Sequence, residues 1–260
     1  MKRAVYRPRI PPPPPRTGPT IRFAVSTETE TVRVNFGRPM PLFPLAQVAL
    51  LPHAVLPLHV YEPRYRQMIE HVLDGPGQIA MAVLDHDAWP TDPTGAPPLK
   101  PAVCIGQIVQ HERLADGRYN VLLQGVCRAR IDQEEPAGST RLYRRAVLRP
   151  IENSEFNPDE LDAERQRIRW LLTDTPLTRL CAAEKVAECL CQDDAPTIAV
   201  LELIGVTLLT DDRVRYSLLE EGDPTVRAAL IEDELDHLRG LLARAEHQLD
   251  PDAPKGVMWN

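Results

Sequence analysis

Residues Leu58 to Leu73 read LHVYEPRYRQMIEHVL, and a change of period inside them decides the fold class. The run from Val55 to Tyr61 is short, apolar and strand-like, and it stops at Glu62-Pro63. Beyond it Tyr65, Met68, Ile69, Val72 and Leu73 recur at helical spacing and predict one buried stripe. Pro63 suits a first helical turn and Gly75 marks the exit. Arg64 and Arg66 are out of place by this logic, because cations in a first turn oppose the helix dipole by about 0.3–1 kcal/mol each. They flank Tyr65 and leave the stripe, so something specific must offset them. Glu62 and the carbonyls of the incoming strand are the acceptors within reach of a forked guanidinium.

Around this helix the signal is β. Leu42–Leu45, Gln78–Leu84, Val103–Glu112, Tyr119–Gln124, Val126–Ile131 and Leu142–Leu148 are short apolar runs broken by Pro and Gly. LADGRYNVLL, Leu114 to Leu123, predicts a hairpin in which Asp116-Gly117 supplies two positive-φ positions of a tight turn. Asp87 to Pro101 reads as a loop. Many short strands with one helix predict a small, curved, barrel-like sheet.

From Asn157 the period becomes helical. Asn157-Pro158-Asp159-Glu160 combines a cap, a first-turn proline and two acids that suit the dipole. Helices are expected to about Leu172, from Thr175-Pro176 to about Leu190, from Ala195 to Leu209, from Asp211 to Leu219, and from Asp223-Pro224 to about Leu249. Together they predict an antiparallel bundle. In the last helix Ile231, Leu235, Leu238, Leu242, Ala245 and Leu249 form an a/d seam, expected to pack on its own bundle, chiefly on Ile198–Leu209, the alternative being that its C-terminal part projects and pairs with another copy. The organisation expected is a disordered, proline-rich basic leader at 1–39, a β-rich unit at 40–151, a helical bundle at 152–250 and a tail at 251–260. Met40 could serve as an alternative start. The fold class is α+β.

Charge is uneven. The first 40 residues hold eight Lys/Arg and two acids, although the whole chain of 260 residues is net −7. An acidic body lacks the basic face that phosphate contacts need, which argues against nucleic acid. No run reaches the ~18 apolar residues of a membrane helix, and no apolar secretory segment follows the basic start. The five cysteines are an odd, scattered set, expected to be free thiols of a cytoplasmic protein. There is no G-x-x-x-x-G-K-[ST], no G-x-S-x-G and no H-E-x-x-H. Cys189 and Cys191, two apart on an expected helix, point to different sides. The residues call for no metal, no cofactor and no catalytic group.

Two longer stretches carry a resemblance. PLFPLAQVALLPHAVLPLHVYEPRYRQMIEHVL, Pro41 to Leu73, and IGQIVQHERLADGRYNVLLQGVCRARI, Ile105 to Ile131, resemble the Lon N-terminal, or LON substrate-binding, domain. YRRAVLRPI, Tyr143 to Ile151, is similar to the strand that closes its β part. The resemblance covers about Pro41 to Leu249 and implies a PUA-like pseudo-barrel followed by a helical bundle. It implies a stand-alone binding module without the ATPase and Ser/Lys protease domains of full Lon, hence not an enzyme. The partner it implies is unfolded or disordered polypeptide, with a protease or chaperone alongside, the chain itself being a monomer or weak homodimer. An adaptor for one folded partner is the alternative. Candidate binding residues are Glu62, Pro63, Arg64, Tyr65 and Arg66 at the strand-to-helix corner, and Asp116, Gly117, Arg118 and Tyr119 at the hairpin. For both groups a purely structural role, corner lock or turn chemistry, stands beside the binding role.

Overall fold

The computed structural model describes residues 32–85, 97–151, 156–192 and 195–249. Six strands come first: β1 (Met40–Leu45), β2 (Val55–Val60), β3 (Gln78–Leu84), β4 (Leu99–Arg113), β5 (Tyr119–Glu135) and β6 (Arg145–Pro150), with helix α1 (Pro63–Leu73) between β2 and β3. They form one mixed sheet in the order β2-β5-β4-β3-β1-β6, and β6 returns to pair with β5. A ring of five strands therefore closes, and β2 is attached outside it. The α+β class and the barrel-like sheet agree with the sequence.

β5 is the spine. The sequence suggests two strands, Tyr119–Gln124 and Val126–Ile131, but they are one. On one side β5 pairs with β4 along most of its length. On the other it takes β2 from Tyr119 to Gln124 and β6 from Ala129 to Glu135. The loop before β2 enters between those two partners, where the Gly125 amide donates to the Ala54 carbonyl and the His53 amide donates to the Gly125 carbonyl. A Cβ on Gly125 would lie 2.1 Å from the Leu51 carbonyl oxygen, so only glycine admits the loop here.

Two apolar clusters divide the sheet faces. The inner one holds Leu42, Ala80, Ala82, Val103, Ile105, Ala129, Ala146 and Leu148. Four of its members are alanines, which suits the narrow interior of a five-stranded ring. The outer one joins Ile79, Met81, Cys104 and Leu123 to α1 and to the helices. β3 is buried on both faces, which explains its unbroken apolar sequence. Burial also raises the Cys104 thiol well above its usual range. Upstream of β1, Val34 and Phe36 rest on the inner cluster, so packing begins before the Met40 that the sequence suggests. The rest of the leader, most of the proline-rich loop and the tail lie outside the described residues.

The helical half comprises α2 (Asp162–Thr173), α3 (Ala183–Cys191), α4 (Thr197–Thr207), α5 (Asp212–Glu220) and α6 (Pro224–Leu249). Asn157, Thr175 and Asp211 each accept a backbone N–H two residues on, as helix-capping side chains do. Asp223 Oδ1 accepts from the Thr225 amide at 2.8 Å. The expected helix from Thr175 is instead a single 3-10 turn, Pro176–Arg179, followed by α3. Its Pro176 opens a turn, but Leu180 is extended and breaks the run. In α6, Ile231 and Leu235 are buried, while Leu238 and Leu242 are half-buried against the same cluster. The helix packs on α2 and the 3-10 turn as well as on α4, a broader seat than the sequence suggests. The Leu249 side chain lies outside those described.

α4 is apolar almost all round and carries a buried acid. Glu202 Oε2 accepts from Arg128 Nη2 of β5 at 2.7 Å, and Arg227 of α6 stands 3.5 Å from Glu202 Oε1. Arg128 Nε also donates to the Leu218 carbonyl, and Arg227 to those of Glu221 and Gly222. All three side chains are buried. Replacing Glu202 with Ala removes the buried carboxylate that the two arginines share and is expected to cost about 3–5 kcal/mol. The triple change Arg128→Met, Glu202→Leu, Arg227→Met should cost less than that single change, as denaturant midpoints will show.

Candidate functional site

Tyr65 is the buried anchor of the strand-to-helix corner. Its ring packs edge-on to Phe43 with centroids 4.4 Å apart, and burial raises its hydroxyl above the usual range. Glu62 precedes the helix, and its carbonyl accepts from the amides of Tyr65 and Arg66. Its carboxylate accepts from Arg64 Nε at 2.9 Å, and the Arg64 guanidinium lies 4.6 Å from the Tyr65 ring centre. The first-turn cation is thus neutralised by the residue before the helix. Pro63 opens α1 without an N–H to satisfy.

Arg66 leaves the corner altogether. A Cβ built on Gly117 would lie 2.3 Å from Arg66 Nη2, so the guanidinium lies over the hairpin tip between β4 and β5. Its Nε is buried with no hydrogen-bond partner among the described residues. The fold therefore joins the two sequence-predicted groups through Arg66, Gly117 and the neighbouring Tyr119. Tyr119 donates to Glu70 of α1 at 3.3 Å, and Arg113 stands 5.9 Å from its ring centre.

The tip itself differs from the expected two-residue turn. Gly117, at φ +79°, is the position with positive φ, and Asp116 is not. The Gly117 amide donates to Leu114 and the Leu114 amide to Arg118. The loop is therefore Ala115-Asp116-Gly117, a turn completed by one left-handed glycine. Asp116 instead works through its side chain, accepting from the Arg118 amide at 3.1 Å and from Arg118 Nε at 2.6 Å. The Arg118 side-chain bond is the main reason its carboxyl lies below the usual range.

From Arg118 a polar chain crosses the sheet. Arg118 Nη1 donates to His59 Nε2 at 3.2 Å, which leaves Nδ1 to donate to Asn120 Oδ1 at 2.8 Å. Asn120 Nδ2 donates to Glu112 at 3.1 Å. His59, Asn120 and Glu112 border an open groove of about 380 Å³ on the face of β2, β5 and β4, with Pro57, Gln110 and Leu122 among its other walls. Its volume is that of a ligand pocket.

Next to the groove, β4 outruns its neighbour. β3 ends its pairing at Gln78 opposite Gln107. Beyond that point Val109 to Arg113 have β5 on one side and, among the described residues, no strand on the other. Val109 is skipped by the β4–β5 register and is 51% exposed. Neither His59 nor this edge is among the sequence candidates. A signal was available, since the apolar run of β4 is longer than that of β3. Among the described residues no group of three or more His, Cys, Asp or Glu could hold a metal, and no helix is long and apolar enough to cross a membrane.

A family model described as the ATP-dependent protease La (LON) substrate-binding domain matches residues 39–237. The Lon protease of Erwinia amylovora is 28% identical over 204 residues, 77% of this chain and 25% of that protein. The Lon protease of Escherichia coli strain K12 is 35% identical over 92 residues, 35% of this chain and 12% of that protein. The chain spans a quarter or less of the length of these relatives. The solved N-terminal domain of Mycobacterium avium complex Lon protease matches with a TM-score of 0.58 at 21% identity, over 76% of this chain and 98% of that one. The Lon N-terminal domain protein from Xanthomonas campestris matches with a TM-score of 0.50 at 19% identity, over 79% of this chain. At these identities the likeness is one of fold.

Gly117→Ala adds a Cβ at a left-handed position and displaces Arg66. It is expected to lower stability by about 1–2 kcal/mol, measured by urea unfolding, and to shift the amide resonances of both the hairpin and α1.

Proposed function

Because the chain belongs to the family of ATP-dependent protease La (LON) substrate-binding domains, we propose that it is a non-catalytic module that holds exposed or disordered polypeptide in a proteolytic setting. Cytoplasmic location, a protease or chaperone as second partner, and a monomeric or weakly dimeric state belong to the same reading. One observation carries it: the Val109–Arg113 edge of β4 has no neighbouring strand among the described residues and lies beside the groove. An extended peptide can add to such an edge through main-chain hydrogen bonds, while the groove receives alternate side chains. Main-chain bonding is indifferent to sequence, which suits a module that must accept many unfolded chains. A folded protein has few free extended segments to offer. Glu62–Arg66 and Asp116–Tyr119 then act at one end, as the corner that holds the hairpin under the peptide.

The test is fluorescence anisotropy with a labelled model protein, once native and once reduced and alkylated so that it stays unfolded. The unfolded form is expected to bind and the native form to bind at least about tenfold more weakly, a gap of about 1.4 kcal/mol. Val109→Lys places a charge on the exposed edge, which disfavours strand addition. It should weaken binding by a similar factor and leave the circular dichroism unchanged. Equal affinity for the two forms overturns the reading.

A further inference from the structure

The floor of the groove is two rows of side chains set by strand register. His59 of β2 stands opposite Asn120 of β5, and Asn120 opposite Glu112 of β4, so these three make one row across the sheet. Pro57, Leu122 and Gln110 make the row beside it. The first row is polar, and its hydrogen bonds run one way. Arg118 donates to His59, His59 to Asn120 and Asn120 to Glu112. The row therefore ends on a carboxylate, at the edge where β4 has no partner strand among the described residues. Glu112 is exposed. It is the one carboxylate among the groove walls, and no wall is Lys or Arg. Arg113, the cation next to it in sequence, points to the opposite face, where it lies 3.6 Å from Glu70 of α1. Among the described residues, then, Glu112 has a hydrogen-bond donor in Asn120 but no ion-pair partner.

We propose that the groove selects extended polypeptide segments carrying a lysine or arginine, whose cationic side chain pairs with Glu112. This inference rests on the polypeptide-binding reading above and names the class of segment accepted. A strand added to β4 supplies the next member of each row. Side chains alternate between faces, so the residue opposite Glu112 places its side chain on the groove face, beside the carboxylate. Cross-strand neighbours of opposite charge attract and like charges repel. A cation at that position is favoured and an acid is disfavoured. The bond from Asn120 occupies Glu112 Oε2 and leaves Oε1 to accept from an incoming ammonium or guanidinium. It also holds the carboxylate over the sheet, so less side-chain freedom is lost when the pair forms. An edge charge that only kept strands away would oppose every segment alike. A carboxylate tied back by Asn120 instead sorts segments by charge.

Anisotropy of labelled peptides of about 12 residues, long enough to span the edge, tests this with the full chain. The host is Ser, Thr and Val, blocked at both ends so that it carries no charge, and the single guest at its centre is Lys, Arg, norleucine or Glu. The Lys and Arg guests are expected to bind about fivefold more tightly than norleucine, and the Glu guest more weakly still. Glu112→Gln keeps an acceptor for Asn120 but removes the charge, and should make the guests equal. Glu112→Lys should invert the order, so that the Glu guest binds best. Glu188→Gln, on the exposed side of α3, makes the same change in net charge and should leave the order as it was. Circular dichroism checks that each variant is folded. Equal binding of the Lys and norleucine guests overturns the inference and leaves the polypeptide-binding reading standing, whereas no binding of any guest overturns both. A Lys preference that survives Glu112→Gln also overturns it, as does a Glu112→Gln chain that binds all guests more tightly by one common factor.

Discussion

The relation between sheet and helices depends on a buried acid shared by two arginines. Arg128 projects from β5, Glu202 from α4 and Arg227 from α6, and their side chains are almost wholly withdrawn from solvent. Taking three charges out of water is costly, and the attraction offsets that cost only when the geometry is close. Arg128 meets this demand by reaching both Glu202 and the Leu218 carbonyl at the end of α5. Arg227 reaches the carbonyls that lead into α6. Apolar packing alone would tolerate sliding of α4 across the sheet, whereas these directional contacts admit one placement. Tyr216 of α5 adds a second tie, accepting from the Ala102 amide of β4 at 2.9 Å, and burial pushes its hydroxyl up to about 12.

At the other end of β5 the charges are exposed and do a different job. Glu62–Arg64 and Asp116–Arg118 are neighbours in sequence, each about 2.5–2.8 Å apart, and pairs of this kind contribute little to stability. Their effect is to settle local charge, so that the Arg66 guanidinium is left to bridge α1 and the hairpin. The puzzle of two first-turn cations thus has two answers, one within three residues and the other about fifty residues away in sequence.

Local features were legible and distant ones were not. The period change at Glu62-Pro63 and the caps at Asn157, Thr175, Asp211 and Asp223 are decided by side chains within a few positions, so the sequence displays them. Glu202 looks like an ordinary polar residue on an apolar helix, because its partners are on β5 and α6. Gly125 reads as a strand break, because the loop that needs its missing side chain, Leu51 to Ala54, lies far upstream. The turn at Asp116-Gly117 was legible as a turn but not as a three-residue loop, since both types use the same two residues. Of the candidate site, the corner and hairpin residues could be named in advance. That Arg66 joins them follows only from how the strands are assembled, and the one sequence sign that β4 outruns β3 is its longer apolar run.

The order of strands along β5 also bears on how the molecule forms during synthesis. The β4–β5 hairpin is local and can close as soon as its residues are available. The ring cannot, because its last seam joins Met40 and Pro41 of β1 to Ala146 and Arg145 of β6. Contacts so far apart in the chain carry a large closure entropy and form late. Until residue 150 leaves the ribosome, β1 and the second half of β5 present unpaired edges to the surroundings. A nascent chain is therefore an open, adhesive sheet, and the finished one is a ring with most of those edges consumed.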